Sequence, residues 1–395
     1  MRIKEFEFNL RELSGSLGDL GTLIPLSIAM ITVNGLSFTS VFLMVGIFYV
    51  ITGLYYRLPI PVQPLKVVAA IAIASPDIIT LPVMAATGIL FGGILLLLSL
   101  TGLINWISRI FTKPVVRGIQ VGLGLILITK GIGFIQSREL LIQNSGGETL
   151  LGSMPVNIII GLACIVLVLL LINSKRFPAA LVIVTAGVII GAAFGAFSNT
   201  EWGFGPTEMG LYLPSLDNYI TALVLLVIPQ IPLTIGNAVI GTTDTAKSLF
   251  GGGDCTRRVT NRRFSADMGI VNIVTGFLAA MPMCHGAGGL AAHYRFGART
   301  GGSNIMIGIF FIIIAVSFGV VGLALLSSIP YAVLGVLLLF AGLELVLLIR
   351  DVEGRKDLFI VFLIAGIGLA TTNMAIAFGA GIAVTYLLKW TKISI

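Results

Sequence analysis

Charge is scarce in this 395-residue chain: Lys, Arg, Asp and Glu make up 10% of it, against 57% hydrophobic residues. A soluble globular chain carries roughly a quarter charged residues, so a protein bathed by water on all sides is excluded. Cysteine is scarcer still. Cys164, Cys255 and Cys284 are scattered, which excludes a disulfide framework and CxxC zinc spacing. The two histidines, His285 and His293, could join Cys284, but no fourth ligand accompanies them, so neither a metal nor a cofactor is expected. No nucleophile stands beside a base, and no ring of charges suggests a conduction filter. Enzyme and channel readings are therefore set aside. The opening MRIKEFEFNLREL mixes acids and bases without an early apolar core, so no cleavable signal is read there. Its Phe6, Phe8, Leu10 and Leu13 fit an interfacial segment over residues 1–13.

What the chain has in abundance is apolar sequence, with a mean hydropathy of +1.06. Runs such as Leu36–Tyr56, Leu81–Ile104, Val156–Ile172 and Ile305–Leu326 approach the roughly 20 residues that cross a bilayer. The fold class expected is all-α and polytopic, an integral membrane protein. Gly, Pro and charge breaks divide it into about fourteen segments, centred near residues 26, 47, 69, 93, 124, 164, 187, 232, 273, 291, 314, 338, 365 and 382. With both termini in the cytoplasm, basic residues collect inside: Arg57; Arg109, Lys113 and Arg117; Lys175 and Arg176; Lys247 and Arg257 to Arg263; Arg295 and Arg299; Arg350 to Lys356; Lys389 and Lys392. The outer loops keep Arg138 with Glu139, Glu148, Glu201, Glu208 and Asp217. This is the positive-inside pattern, and it accounts for the net charge of +7 without nucleic acid. A prokaryotic inner membrane is the simplest setting.

The sequence also repeats. LIPLSI at Leu23–Ile28 returns as QIPLTI at Gln230–Ile235, and PVQPLKVVAA at Pro61–Ala70 returns in kind as PMCHGAGGLAA at Pro282–Ala292. Seven segments before the second copy would send it into the membrane from the opposite side, giving a 7+7 inverted repeat. The expected divisions are a first repeat over 14–200, an external linker over 201–216 and a second repeat over 217–395.

Both members of the second pair are irregular, and irregular backbone at membrane depth is tolerated only inside protein or beside a water-filled cavity. Pro61 and Pro64 forbid a continuous helix, and a half-helix can begin at Pro64. Near His285 a second would begin, where Gly286, Gly288 and Gly289 let backbone amides approach a ligand. Helix starts carry unpaired N–H donors and roughly half a positive charge, so two facing starts form a socket for an oxyanion. Lys66 falls in the first turn of the earlier half-helix, and an ionisable residue inside a span is a functional candidate. His285 is either a packing residue or a group that donates to the anion or gains a proton as the anion arrives; a coupled proton would have no obvious carrier except His285 or one of the intramembrane acids. Thr22, Gln63, Gln230, Thr234 and Asn237 would line the cleft, the last three sharing one helical face at i, i+4, i+7. Pro229 and Pro232 would kink that helix. The intramembrane acids Asp19, Asp244, Asp267 and Glu344 are not placed at the socket by their spacing.

At this point the motifs PVQPLKVVAA, PQIPLTIGNAV, MPMCHGAGGLAAHYRFGARTG and GDLGTLIPL resemble the molybdate transporter family, a branch of the sulfate permease superfamily. The resemblance spans the membrane region. It implies about fourteen transmembrane segments, with the third and tenth each a short strand plus half-helix meeting at the midplane, and uptake of molybdate. It carries over onto Gln63, Pro64 and Lys66, onto Gln230 and Asn237, and onto His285, Gly286, Ala287, Gly288 and Gly289. It also implies a homodimer as one possible assembly. His293 departs from the family's Gln, and the chain stops at Ile395 without the C-terminal regulatory domain of many sulfate permeases. Sulfate, tungstate or another tetrahedral oxyanion is the alternative substrate. A nucleobase on the same fold is less favoured, because Lys66 and Gly288 or Gly289 stand where carboxylates would read ring N–H groups.

Overall fold

The structure is a computed structural model and describes residues 6–104, 112–141, 148–171, 179–198, 202–251 and 254–390. Arg109, Lys175, Arg176, Glu201 and Lys392, and residues 1–5 of the expected interfacial segment, lie outside the described residues. The chain opens with α1 (Leu10–Ser16), α2 (Leu20–Asn34), α3 (Phe38–Tyr56), β1 (Gln63–Pro64), α4 (Lys66–Ala74), α5 (Leu81–Thr101) and α6 (Lys113–Ile135). A hairpin of β2 (Leu150–Leu151) and β3 (Met154–Pro155) leads into α7 (Val156–Leu171) and α8 (Ala179–Ala193). Next comes a helical stretch of α9 (Leu216–Ala222), α10 (Ile228–Leu233) and α11 (Thr242–Phe250), joined by π-helical turns at Leu223–Val227 and Thr234–Gly241. The remainder is α12 (Asn261–Phe277), β4 (Met283–Cys284), α13 (Ala287–Phe296), α14 (Gly301–Ser317), α15 (Gly319–Ser327), α16 (Tyr331–Val346), α17 (Arg355–Thr371) and α18 (Met374–Trp390).

Each of the expected segment centres falls inside one of these helices. Among the described residues, five helices are long and apolar enough to cross a bilayer alone, or seven if two bent pairs each count as one span. The chain divides into two compact units. The first holds Met1–Ile60, Ile128–Gly210 and Ala292–Ala341; the second holds Pro61–Leu127, Leu211–Ala291 and Gly342–Ile395.

In the first unit α3 crosses α14 with glycine against glycine: a Cβ on Gly46 would stand 2.6 Å from the Gly308 carbonyl, and one on Gly308 would stand 2.7 Å from that of Gly46. Lipid tails are as apolar as leucine, so helices associate in a bilayer by such close backbone approach. The second unit repeats the device with α5 on α12, where a Cβ on Gly92 would stand 2.6 Å from the Gly269 carbonyl.

The expected kink at Pro229 and Pro232 is absorbed differently. The prolines lack N–H groups, so carbonyls one turn back lose their α-helical partners. The backbone widens instead, the Ile228 N–H reaching back five residues to the Leu223 carbonyl, and Leu216–Phe250 runs on as one 35-residue helix. Such π-turns relocate side chains relative to α-helical spacing.

Candidate anion site at the strand pair

Two interruptions, 61–65 and 282–286, meet inside the second unit. β1 and β4 pair antiparallel, Gln63 opposite Cys284 and Pro64 opposite Met283. The pairing extends one residue further, the Leu65 N–H donating to the Pro282 carbonyl at 2.9 Å. For this reason α4 does not start at Pro64, as the proline position suggests, but at Lys66, with Leu65 as its cap residue. α13 likewise starts at Ala287, two residues beyond His285, with the Gly286 carbonyl accepting the Leu290 N–H at 3.0 Å. Helices leaving an antiparallel pair in opposite directions both turn their amino ends toward it.

A two-stranded sheet at membrane depth has outer edges to satisfy. Pro61 and Pro64 bring no N–H at all. On the far side of β4 the Asn272 side chain acts as a further strand: its Nδ2 donates to the Met283 carbonyl at 2.7 Å and its Oδ1 accepts the Met283 N–H at 2.9 Å. Asn272 is fully buried on α12. The amide is the one side chain of this length that offers donor and acceptor together. Nothing in the local sequence marks it, because its partner lies on another element.

The expected site residues divide by what they touch. Gln230, buried, accepts the Val67 N–H with Oε1 at 2.9 Å and donates from Nε2 to Thr234 Oγ1 at 2.8 Å. It therefore caps α4, occupying one first-turn donor, while Thr234 holds the cap. Asn237, in the wider π-turn, is half-buried; a Cβ on Gly241 would lie 4.0 Å from its Oδ1 and 3.3 Å from the Ala287 Cβ, so Asn237 lies near the start of α13. Gly286 approaches protein: a Cβ there would stand 2.1 Å from Gln63 Oε1. Gly289 is buried in the first turn of α13. Thr22, half-buried on α2, belongs to the first unit.

His285 is fully buried, with its ring against Phe264 at 4.9 Å. Nδ1 faces the Pro61 carbonyl at 2.8 Å, and Nε2 lies 3.3 Å from each carboxylate oxygen of Asp267. Asp267, which spacing did not bring to the socket, stands 18 residues upstream on α12. His293 belongs to the first unit, where it is buried beside Tyr49 with Nδ1 on the Pro59 carbonyl at 3.0 Å.

Accessibility picks out three positions. Across residues 61–73 every residue but Lys66 is buried, and across 280–290 every residue but Ala287 and Gly288. A Cβ on Gly288 would meet nothing within 4 Å, so the first turn of α13 opens onto free space. Among the described residues the Lys66 ammonium has no hydrogen-bond or ion-pair partner. A cation at a helix amino end is disfavoured by about 0.3–1 kcal/mol, and no carboxylate offsets this one.

The fold built around that strand pair is shared with solved membrane proteins. The chain superposes on the transmembrane domain of the cyanobacterial bicarbonate transporter BicA with a TM-score of 0.66 and 16% identity, covering 93% of this chain and 97% of that one. It also superposes on the murine Slc26a9 anion transporter in its inward-facing state, with a TM-score of 0.70 and 16% identity, over 100% of this chain and 70% of that one. It is therefore an integral membrane protein that shares the fold of these two anion transporters. Sequence narrows the class. A family model described as "Molybdate transporter of MFS superfamily" matches residues 11–127 and 222–345. Molybdate transporter 2 of Arabidopsis thaliana is 32% identical over 410 aligned residues, 96% of this chain and 87% of that protein. The chain belongs to the molybdate transporter family, a family of transporters and not of enzymes.

Proposed function

We propose that this protein is a secondary active transporter that imports molybdate by alternating access, binding the oxyanion between the amino ends of α4 and α13. Membership of the family supports the substrate. The observation that carries the binding mode is the exposure of Lys66, Ala287 and Gly288 within stretches that are otherwise buried. Each helix start contributes roughly half a positive charge. With the partnerless Lys66 ammonium, the socket presents about two positive charges, the complement of a tetrahedral dianion. Lys66 and the first-turn amides at Ala287 and Gly288 bind the oxygens, and Asn237 borders them. Gln63, Pro64, Gln230, Thr234, His285, Gly286 and Gly289 shape and hold the two starts.

Around this site the fourteen segments form two inverted repeats, over 14–200 and 217–395, in a plasma membrane with both termini cytoplasmic. The shared device of glycine-lined crossings, α3 on α14 and α5 on α12, supports that internal symmetry.

The test is a competition titration of the purified protein with molybdate, tungstate, sulfate and uracil. Molybdate and tungstate, equal in charge and close in size, should displace one another at similar concentrations, with sulfate needed in excess. Equal affinity for sulfate would make the protein a general tetrahedral-oxyanion carrier. Uracil binding without an oxyanion response would replace the proposal with a nucleobase site.

A further inference from the structure

We infer that His285 and Asp267 form a proton site, and that the proton bound there is the ion coupled to anion uptake. The inference rests on the transport function proposed above. It starts from hydrogen-bond inventory. The Pro61 carbonyl can only accept, so at 2.8 Å it fixes an N–H on His285 Nδ1. In a neutral imidazole the other nitrogen is then a bare lone pair. That lone pair faces both oxygens of the Asp267 carboxylate at 3.3 Å. Acceptor against acceptor is repulsive in a buried setting. The contact becomes a hydrogen bond only when one further proton lies in it, on Nε2 or on the carboxyl group.

Few other ionisable groups stand on the elements packed around the pair. α12 carries Asp267 itself and two other ionisable groups, Arg262 and Arg263, which donate to the backbone carbonyls of Leu100 and Arg257. α5, packed along α12, has no acid or base between Leu81 and Thr101. The π-turn Thr234–Gly241 and β1 bring none either, and β4 brings only the Cys284 thiol, directed to the Pro64 carbonyl at 3.6 Å. α4 brings Lys66, and α11, which continues the π-turn, brings Asp244 and Lys247. The Asp267 side chain is 19% exposed while His285 is sealed, so Asp267 is the member of the pair that a proton would reach first.

The pair is tied to the anion socket by the chain. His285 is separated from the start of α13 by Gly286 alone. Protonated, the pair is neutral overall; deprotonated, it places a net negative charge beside a site for a dianion. Anion binding therefore favours proton uptake, and by reciprocity the proton favours the anion. Proton and anion then enter together. Buried His and Asp side chains are the groups that intramembrane proton relays use.

The experiment measures protons taken up per molybdate bound, by calorimetry of the purified full-length protein in buffers of different ionisation heat, with affinity followed across pH. The wild-type protein should take up close to one proton per molybdate. Its affinity should fall up to tenfold per pH unit above the apparent pKa of the pair. Asp267→Asn should bind molybdate with no proton uptake and no pH slope, and Asp267→Glu should restore both, which a merely structural role would not predict. Molybdate binding by the wild type without proton uptake overturns the proton site and leaves the proposed substrate standing. Failure of the wild type to bind molybdate at any pH overturns both. If Asp267→Asn fails to fold, loss of proton uptake is sought in His285→Gln, and normal uptake by that variant overturns the assignment.

Discussion

Replacing Lys66 by Met separates binding from stability, because the two should move in opposite directions. Lys66 is the first residue of α4, half-buried, with no partner among the described residues. Methionine keeps most of its length and removes its charge. If the ammonium binds the oxyanion, the loss is one hydrogen bond to a charged group, about 1.5–3 kcal/mol. That corresponds to a dissociation constant roughly 10- to 150-fold weaker. The free protein should become more stable by about 0.3–1 kcal/mol, since a cation no longer opposes the positive end of the helix. Titration calorimetry with molybdate gives the first quantity, and thermal unfolding of the ligand-free protein in detergent the second. Unchanged affinity in Lys66→Met would remove Lys66 from the site. A fall in both affinity and unfolding temperature would mean that it supports the fold.

Two other predictions concern the frame of the site. Asn272→Leu leaves the Met283 N–H and carbonyl without partners and should cost about 1–3 kcal/mol for each group, seen as a marked fall in unfolding temperature; an unfolding temperature equal to the wild type's would show that the side-chain amide is not needed at that edge. Gly286→Ala and Gly288→Ala should differ although they are two residues apart. The methyl at 286 collides with Gln63 and should lower stability, whereas the one at 288 enters open space and should leave stability within about 0.5 kcal/mol while weakening molybdate binding.

The interruptions were legible because proline and glycine act on the backbone locally. Pro61, Pro64 and the run Gly286–Gly289 break the helical pattern wherever the chain folds, so the two broken segments follow from residue type. Lys66 was legible for a similar reason: a lone cation in apolar sequence stands out, and among the described residues it has no carboxylate partner. What the sequence could not show depends on partners from other elements. Gln230 looks like a cleft residue on a polar stripe, and its position beside the Val67 N–H makes it a helix cap. Asn272 and Asp267 sit in an ordinary-looking helix; one completes a sheet edge and the other faces His285, and neither contact leaves a periodic trace. The start of α4 shifted from Pro64 to Lys66 because strand pairing with Met283 and Pro282 claimed two residues that proline preference alone assigns to the helix.

The strand pair also sets an order on the making of the protein. Cys284 and Pro64, in contact across it, are 220 residues apart, and a chain is synthesised from its N-terminus at about 5–20 residues per second. The first strand therefore exists for at least ten seconds or so before its mate is made, at a depth where bare amides are costly. Two of the five residues from Pro61 to Leu65 are prolines, with no amide hydrogen to leave bare. The residues that stop the helix are thus the ones best suited to wait.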